Sequence, residues 1–188
     1  MAKDNKREQI LNALEQLLPG RRFHEITLDE VSRAAQVGKG TIYLYFQDKD
    51  ALFVEMVCFR LEKLSDELSL LSGCSINELP GRVFELVGDF IRRHHSWFGT
   101  GAGQLSGAAR ITGEQQQQVK IQSQKVIDTL ANVMRGAVPG WSREQAQANA
   151  QALLWLIDGC CRSEMAECSV PPSEFLSSFF LRGAGISL

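Results

Sequence analysis

The sequence predicts an all-α fold of about nine helices, and three observations carry that expectation. Apolar residues recur at spacings of three, four and seven through most of the 188 residues. No segment alternates apolar and polar as a half-buried strand does. Pro-Gly pairs and Ser, Thr or Asp starts punctuate the periodic stretches where helices stop and begin.

The first helix is expected over Asp4 to Leu18, with Ile10, Leu11, Leu14, Leu17 and Leu18 on one face and Pro19-Gly20 ending it. Thr27 and Glu30 have the S/T-x-x-E spacing of a capping box, and Ile26 with Val31 fit the hydrophobic staple around it. The second helix therefore starts there, with Leu28, Val31, Ala34 and Ala35 as its inner face. A turn near Gln36-Val37 leads to a third helix, Gly38 to Tyr45, and Asp48 is a good N-cap for a fourth. That long helix runs to about Leu71 on a near-heptad stripe of Phe53, Val57, Leu61, Leu64, Leu68 and Leu71. After a break at Gly73 to Ser75, a fifth helix spans about Ile76 to Phe98, with a kink expected near Pro80-Gly81. Gly99 to Gly113 holds five glycines and reads as a loop with at most a short helix near Leu105 to Arg110. Helices over Glu114 to Ala137, from Ser142 to about Glu167, and from Ser173 to Arg182-Gly183 complete the chain, the last opened by Pro171-Pro172.

Bulk properties narrow the setting. No apolar run approaches the roughly 20 residues of a membrane span, and the charged start MAKDNKREQ is not a secretory signal. Five cysteines, an odd count without metal spacing, speak against a disulfide framework and for a reducing cytoplasm. Net charge is −2. In residues 1–50, Lys3, Lys6, Arg7, Arg21, Arg22, Arg33, Lys39 and Lys49 are matched one for one by Asp4, Glu8, Glu15, Glu25, Asp29, Glu30, Asp48 and Asp50. Any nucleic-acid binding must then rest on local placement of charge, not on a global field.

The segment Thr27 to Lys49 reads as two short helices joined by a tight turn. The second opens with Gly38, Lys39, Gly40 and Thr41, small or cationic residues that let a helix start press against a phosphate backbone. This is the pattern of a helix-turn-helix. Thr27 offers a hydroxyl at a helix start, or only a cap. Lys39 supplies a charge, Gly40 allows close backbone approach, and Thr41 suits a phosphate or a thymine methyl. Tyr43 and Tyr45 present hydroxyls, Lys49 a second cation, and Phe46 reads as core. Lys3, Lys6 and Arg7 form a basic arm or a solvated tail. The exposed positions available to read bases are Gln36, Lys39, Thr41 and Leu44.

The string Thr27, Val31, Ala34, Ala35, Val37, Lys39, Gly40, Thr41, Ile42, Tyr43, Tyr45, Phe46, Lys49 and Leu52 resembles the TetR family of bacterial one-component repressors, specifically over about residues 8 to 55. The resemblance implies a DNA-binding domain at 1–47 and an effector-binding and dimerisation domain at 48–188. It points to both tyrosines as DNA contacts and implies repression of a palindromic operator. Two departures stand out: Gln36 occupies the turn position usually held by glycine, so the turn carries strain, and Arg22 replaces a glycine before Phe23.

The closing segments ALLWLIDG and FLSSFFLRG look like the family's dimerisation helices. The helix from Ser142 carries Ala146, Ala150, Leu153, Leu154, Ile157 and Cys161 on one side and Ala148, Ala152 and Trp155 on another. The last adds Phe175, Leu176, Phe179, Phe180 and Leu181. Helices apolar on most sides must be buried on most sides, so a homodimer through these two is expected, with recognition helices about 34–36 Å apart or a multiple. A small organic effector is expected among Phe59, Phe90, His94, Trp97, Phe98, Arg110 and Trp155, an aromatic set with a few polar groups. No cofactor or metal is expected. The enzyme reading lacks its motifs: Gly99-Thr-Gly-Ala-Gly has no Lys-Ser/Thr of a phosphate loop, and neither Ser-His-Asp nor H-E-x-x-H occurs. The rival is a metal- or thiol-responsive DNA-binding sensor using His94-His95 and Cys58, Cys74, Cys160, Cys161 or Cys168.

Overall fold

The structure, a computed structural model, describes residues 2–97 and 111–186. Its described residues form eight α-helices and no strand: α1 (Ala2–Leu17), α2 (Leu28–Ala34), α3 (Lys39–Tyr43), α4 (Lys49–Ser69), α5 (Leu79–His94), α6 (Gly113–Ala137), α7 (Arg143–Met165) and α8 (Ser173–Gly183). Short 3-10 turns lie at Phe23–Glu25 and His95–Trp97. The short helix expected near 105–110 falls outside the described residues. No helix among them is long and apolar enough to cross a membrane.

Local chemistry explains most boundaries. Asp48 caps α4 as expected: its carboxylate accepts from the Ala51 N–H at 2.7 Å. Ser142 and Gln145 form a second capping box at α7, with bonds of 2.8 and 3.2 Å. The expected kink at Pro80-Gly81 is absent. Helix α5 begins at Leu79, so Pro80 sits in the first turn, where its missing N–H would have had no helical partner. Helix α3 is shorter than expected, five residues, and its last turn tightens through Leu44 and Tyr45 N–H bonds to Thr41 and Ile42 carbonyls.

The chain divides into two compact units. The first comprises Met1–Leu61 with Ser96–Gln122. Its core joins Ile10, Leu11, Leu14, Ile26, Val31, Ile42, Phe46, Leu52, Phe53 and Val57, each large side chain contributing roughly 1.5–3 kcal/mol on burial. Phe23 stacks on Phe53 at 4.4 Å, and Trp97 meets Phe53 edge-on at 6.4 Å. Ion pairs Arg7–Glu55 and Arg60–Glu15 tie α1 to α4. This unit runs past residue 47 because the apolar face of early α4 supplies part of the core on which α1 closes. Ala34, expected on the inner face of α2, is exposed instead; Ser32 is buried there, its hydroxyl donating to the Asp29 carbonyl at 3.0 Å.

The second unit comprises Glu62–His95 with Ser123–Leu188. Here α5 packs against α7 and α8. The buried stripe of α7 is Ala146, Ala150, Leu153, Ile157 and Cys161, and α8 buries Leu176, Phe180 and Leu181. The Ser65 and Thr129 hydroxyls share a 2.7 Å hydrogen bond between α4 and α6. The opposite faces of α7 and α8 are bare: Trp155 is 66% exposed, Phe175 57% and Phe179 61%, with the two phenylalanine rings stacked at 6.4 Å.

Candidate nucleic-acid interface

The capping box forms as its spacing demands. The Thr27 hydroxyl accepts from the Glu30 N–H at 3.2 Å, and the Glu30 carboxylate accepts from the Thr27 N–H at 2.8 Å and from its hydroxyl at 2.9 Å. Arg21 pairs with the same carboxylate at 2.9 Å. Arg21 first, then the Thr27 groups, hold the Glu30 carboxyl down to about 2. Thr27 therefore spends both its hydroxyl and its N–H on the cap. Its role here is to start α2.

Helix α2 ends in a left-handed residue. The Gln36 N–H donates to the Arg33 carbonyl at 3.1 Å and the Val37 N–H to the Ser32 carbonyl at 3.0 Å, the paired bonds of a Schellman motif. Gln36 stands at φ 51°, the strained conformation expected where the resemblance has glycine.

The chain then presents α3. Gly38, Lys39 and Gly40 are exposed, Tyr43 is 53% and Leu44 80% exposed, while Thr41 and Tyr45 are half-buried. Ile42 and Phe46 are buried and anchor the helix from behind. A Cβ at Gly40 would meet nothing within 4 Å. The free fold places no steric demand for glycine there, so the helix start is open to close approach from outside.

The two lysines differ. Lys39 pairs with Asp29 of α2 at 2.9 Å, and that hydrogen bond, reinforced by the carboxylate's charge, pushes the ammonium up. Both partners are well exposed, so the pair is weak and exchangeable. Lys49 instead lies 4.4 Å over the Phe23 ring. Burial pushes it down, with Arg21 adding to that and Asp50 and Glu30 opposing. Lys49 is thus engaged with the core at the start of α4, a departure from the free phosphate clamp expected of it. Arg7 likewise is paired with Glu55, and α1 starts at Ala2, so the expected basic arm is helix; the Lys3 side chain lies outside the described residues. Sequence reasoning missed Asp29, whose signal is only its i, i+4 relation to Arg33; the pairing with Lys39 crosses the turn.

The effector candidates are divided between the two units. Phe90 and His94 are buried in the second unit, edge-to-face at 4.8 Å. Trp97 is buried in the first unit against Phe53. Phe59 is half-buried, with the Arg60 guanidinium 5.3 Å from its ring centroid. Trp155 is 66% exposed on α7 among the described residues. Phe98 and Arg110 lie outside the described residues. Two of the five thiols, Cys160 and Cys161, fit sensing poorly. Burial pushes Cys160 and Cys161 up, so both stay protonated at neutral pH, whereas a reactive sulfur needs its thiolate. Among the described residues no three His, Cys, Asp or Glu side chains are grouped to hold a metal ion.

Known proteins share this architecture. Residues 10–56 match the family model of bacterial regulatory proteins, tetR family. The chain is 31% identical over 84 residues to the uncharacterized HTH-type transcriptional regulator YdgC of Bacillus subtilis, an alignment covering 43% of each. It thus spans less than half the length of the curated relatives it matches. It is similar in fold to the transcriptional regulator FadR of Bacillus subtilis solved in complex with stearoyl-CoA, at TM-score 0.66, 14% identity and coverage of 94% of this chain and 96% of that one. A TetR-family regulator from Mesorhizobium loti gives TM-score 0.67, 16% identity and coverage of 98% and 95%.

Proposed function

We propose, for a chain that belongs to the TetR family through the helix-turn-helix domain at residues 10–56, that it is a homodimeric transcriptional repressor released from a palindromic operator by a small organic effector. The observation that carries this reading is the bare, glycine-flanked start of α3, backed by buried Ile42 and Phe46. Gly40 lets the helix backbone approach the duplex. Lys39 exchanges its Asp29 partner for a phosphate. Thr41, Tyr43 and Tyr45 supply hydroxyls to phosphate oxygens or base edges. Thr27 positions α2, and Lys49 fixes α4 beneath the pair while its charge stays near the backbone. These contacts are few, so useful affinity needs two copies of the site. The exposed Trp155, Phe175 and Phe179 support pairing through α7 and α8. Residues 1–47 then read DNA in the cytoplasm, and 48–188 respond to the effector.

For the effector, the support is the buried Phe90–His94 contact in the second unit and the acyl-CoA complex of the structurally similar FadR. Binding there shifts α4, changes the spacing of the recognition helices and weakens operator affinity, which needs a coupling of only about 1–3 kcal/mol.

Binding-site selection from random duplexes tests the reading directly. A palindrome with half-site centres about 34–36 Å apart, or a multiple, is expected, bound with a steep salt dependence. No enriched sequence, or salt-insensitive binding, rules it out. Operator affinity unmoved across a broad organic ligand screen would remove the effector part alone.

A further inference from the structure

We infer that Gln36 is a specificity-determining DNA contact, its carboxamide reading an adenine at the edge of each half-site. The inference rests on the DNA-binding reading above and deepens it. Two non-glycine residues among those described take the left-handed conformation, Gln36 at φ 51° and Glu167 at φ 58°. They occupy equivalent places. Glu167 closes α7 with the same bonds that Gln36 makes after α2: its N–H donates to the Glu164 carbonyl at 3.0 Å and the Cys168 N–H to the Ser163 carbonyl at 2.9 Å. Glycine suits that position without steric cost, so each side chain persists against a local preference.

Their surroundings separate them. Glu167 follows a helix of the second unit and is no part of the helix-turn-helix segment. Gln36 is the turn of that segment, two residues before Gly38, and it is exposed beside exposed Gly38, Lys39 and Gly40. Its carboxamide makes no hydrogen bond to a described residue. The fold draws on Gln36 only through its backbone, which glycine would serve better. What the side chain adds is a donor and an acceptor on a short reach at the rim of the recognition surface. That pairing matches the N6 donor and N7 acceptor of adenine in the major groove. Local strain held beside a binding surface is where function is expected to oppose stability.

The test uses the full chain, as wild type, Gln36→Gly, Gln36→Ala and the control Glu167→Gly, each taken through binding-site selection and thermal melting. In the wild type, one column of each half-site should prefer adenine. In Gln36→Gly and Gln36→Ala that column should flatten, and affinity for the wild-type operator should fall about tenfold, within the range of one amide–base contact. Glu167→Gly should keep the motif. Both glycine variants should melt roughly 2–4 °C higher, the scale of removing one left-handed side chain from a chain of this size. An unchanged motif in both Gln36 variants, or a fall in affinity equal for all sequences as a phosphate contact would give, overturns the inference while leaving DNA recognition standing. No motif in the wild type instead overturns the DNA-binding reading itself.

Discussion

The start of α3 and the outer faces of α7 and α8 both expose residues to solvent, yet their chemistry is opposite. At α3 the bare residues are Gly38, Lys39, Gly40 and Tyr43, which water solvates at little cost. At α7 and α8 they are Trp155, Phe175 and Phe179, aromatic rings that water does not favour and that suit a protein contact. The first surface suits a hydrated, charged partner that comes and goes. The other suits a partner that desolvates it, and a second copy of the chain presents the same patch. Exposure alone therefore says little; the residue types exposed distinguish a site that binds from a site that assembles.

The comparison is broken most forcefully on the aromatic side. On the proposed pairing through α7 and α8, Trp155→Glu with Phe179→Glu should leave the chain monomeric in sedimentation equilibrium where the wild type is dimeric, since interface aromatics can each contribute about 2 kcal/mol or more. Operator affinity should then fall more than about a hundredfold as the second half-site is lost. A double variant that stays dimeric assigns the patch no role in pairing.

On the α3 side, Gly40→Leu separates fold from contact. Its side chain enters open space in the free protein, so the melting temperature should hold or rise. Affinity in a gel shift should nonetheless drop roughly tenfold to a hundredfold, because the backbone is held off the duplex. A variant that binds as wild type shows that α3 never approaches that closely.

The Lys39–Asp29 pair sharpens the electrostatic half. Lys39→Ala should lower the slope of log affinity against log salt by about one. Asp29→Asn should act oppositely, raising affinity severalfold by freeing the ammonium and removing a like charge facing phosphate. Equal and same-signed effects would mean that the pair only braces α2 against α3.

The smallest effect is on stability. Glu30 titrates at about 2, below its ordinary 4.5, so its contribution is present above about pH 4.5 and is lost as pH falls toward 2. Glu30→Gln should melt lower than wild type at neutral pH, and the gap should close across that window. A gap independent of pH would show that the carboxylate charge is not what the cap uses.

How far each feature was legible follows its separation along the chain. The Thr27–Glu30 box and the Asp48 cap involve neighbours within a few residues, and each is found where its spacing placed it; the strained turn at Gln36 is what the family resemblance implied. Lys49 over Phe23 and Lys39 on Asp29 join residues 26 and ten apart, which no local pattern announces. The position of Pro80 shows the same limit on a smaller scale. A proline kinks a helix only if a turn precedes it, and α5 starts one residue earlier.

Periodicity and capping chemistry were enough to read an all-helical chain with a helix-turn-helix near its start, because helix geometry repeats within one or two turns. They were not enough to say which apolar stripe of α7 is covered, that Trp155 looks outward, or that Lys49 is held by the core. Burial depends on which distant segment packs against a face, and spacing along one helix carries no record of that neighbour.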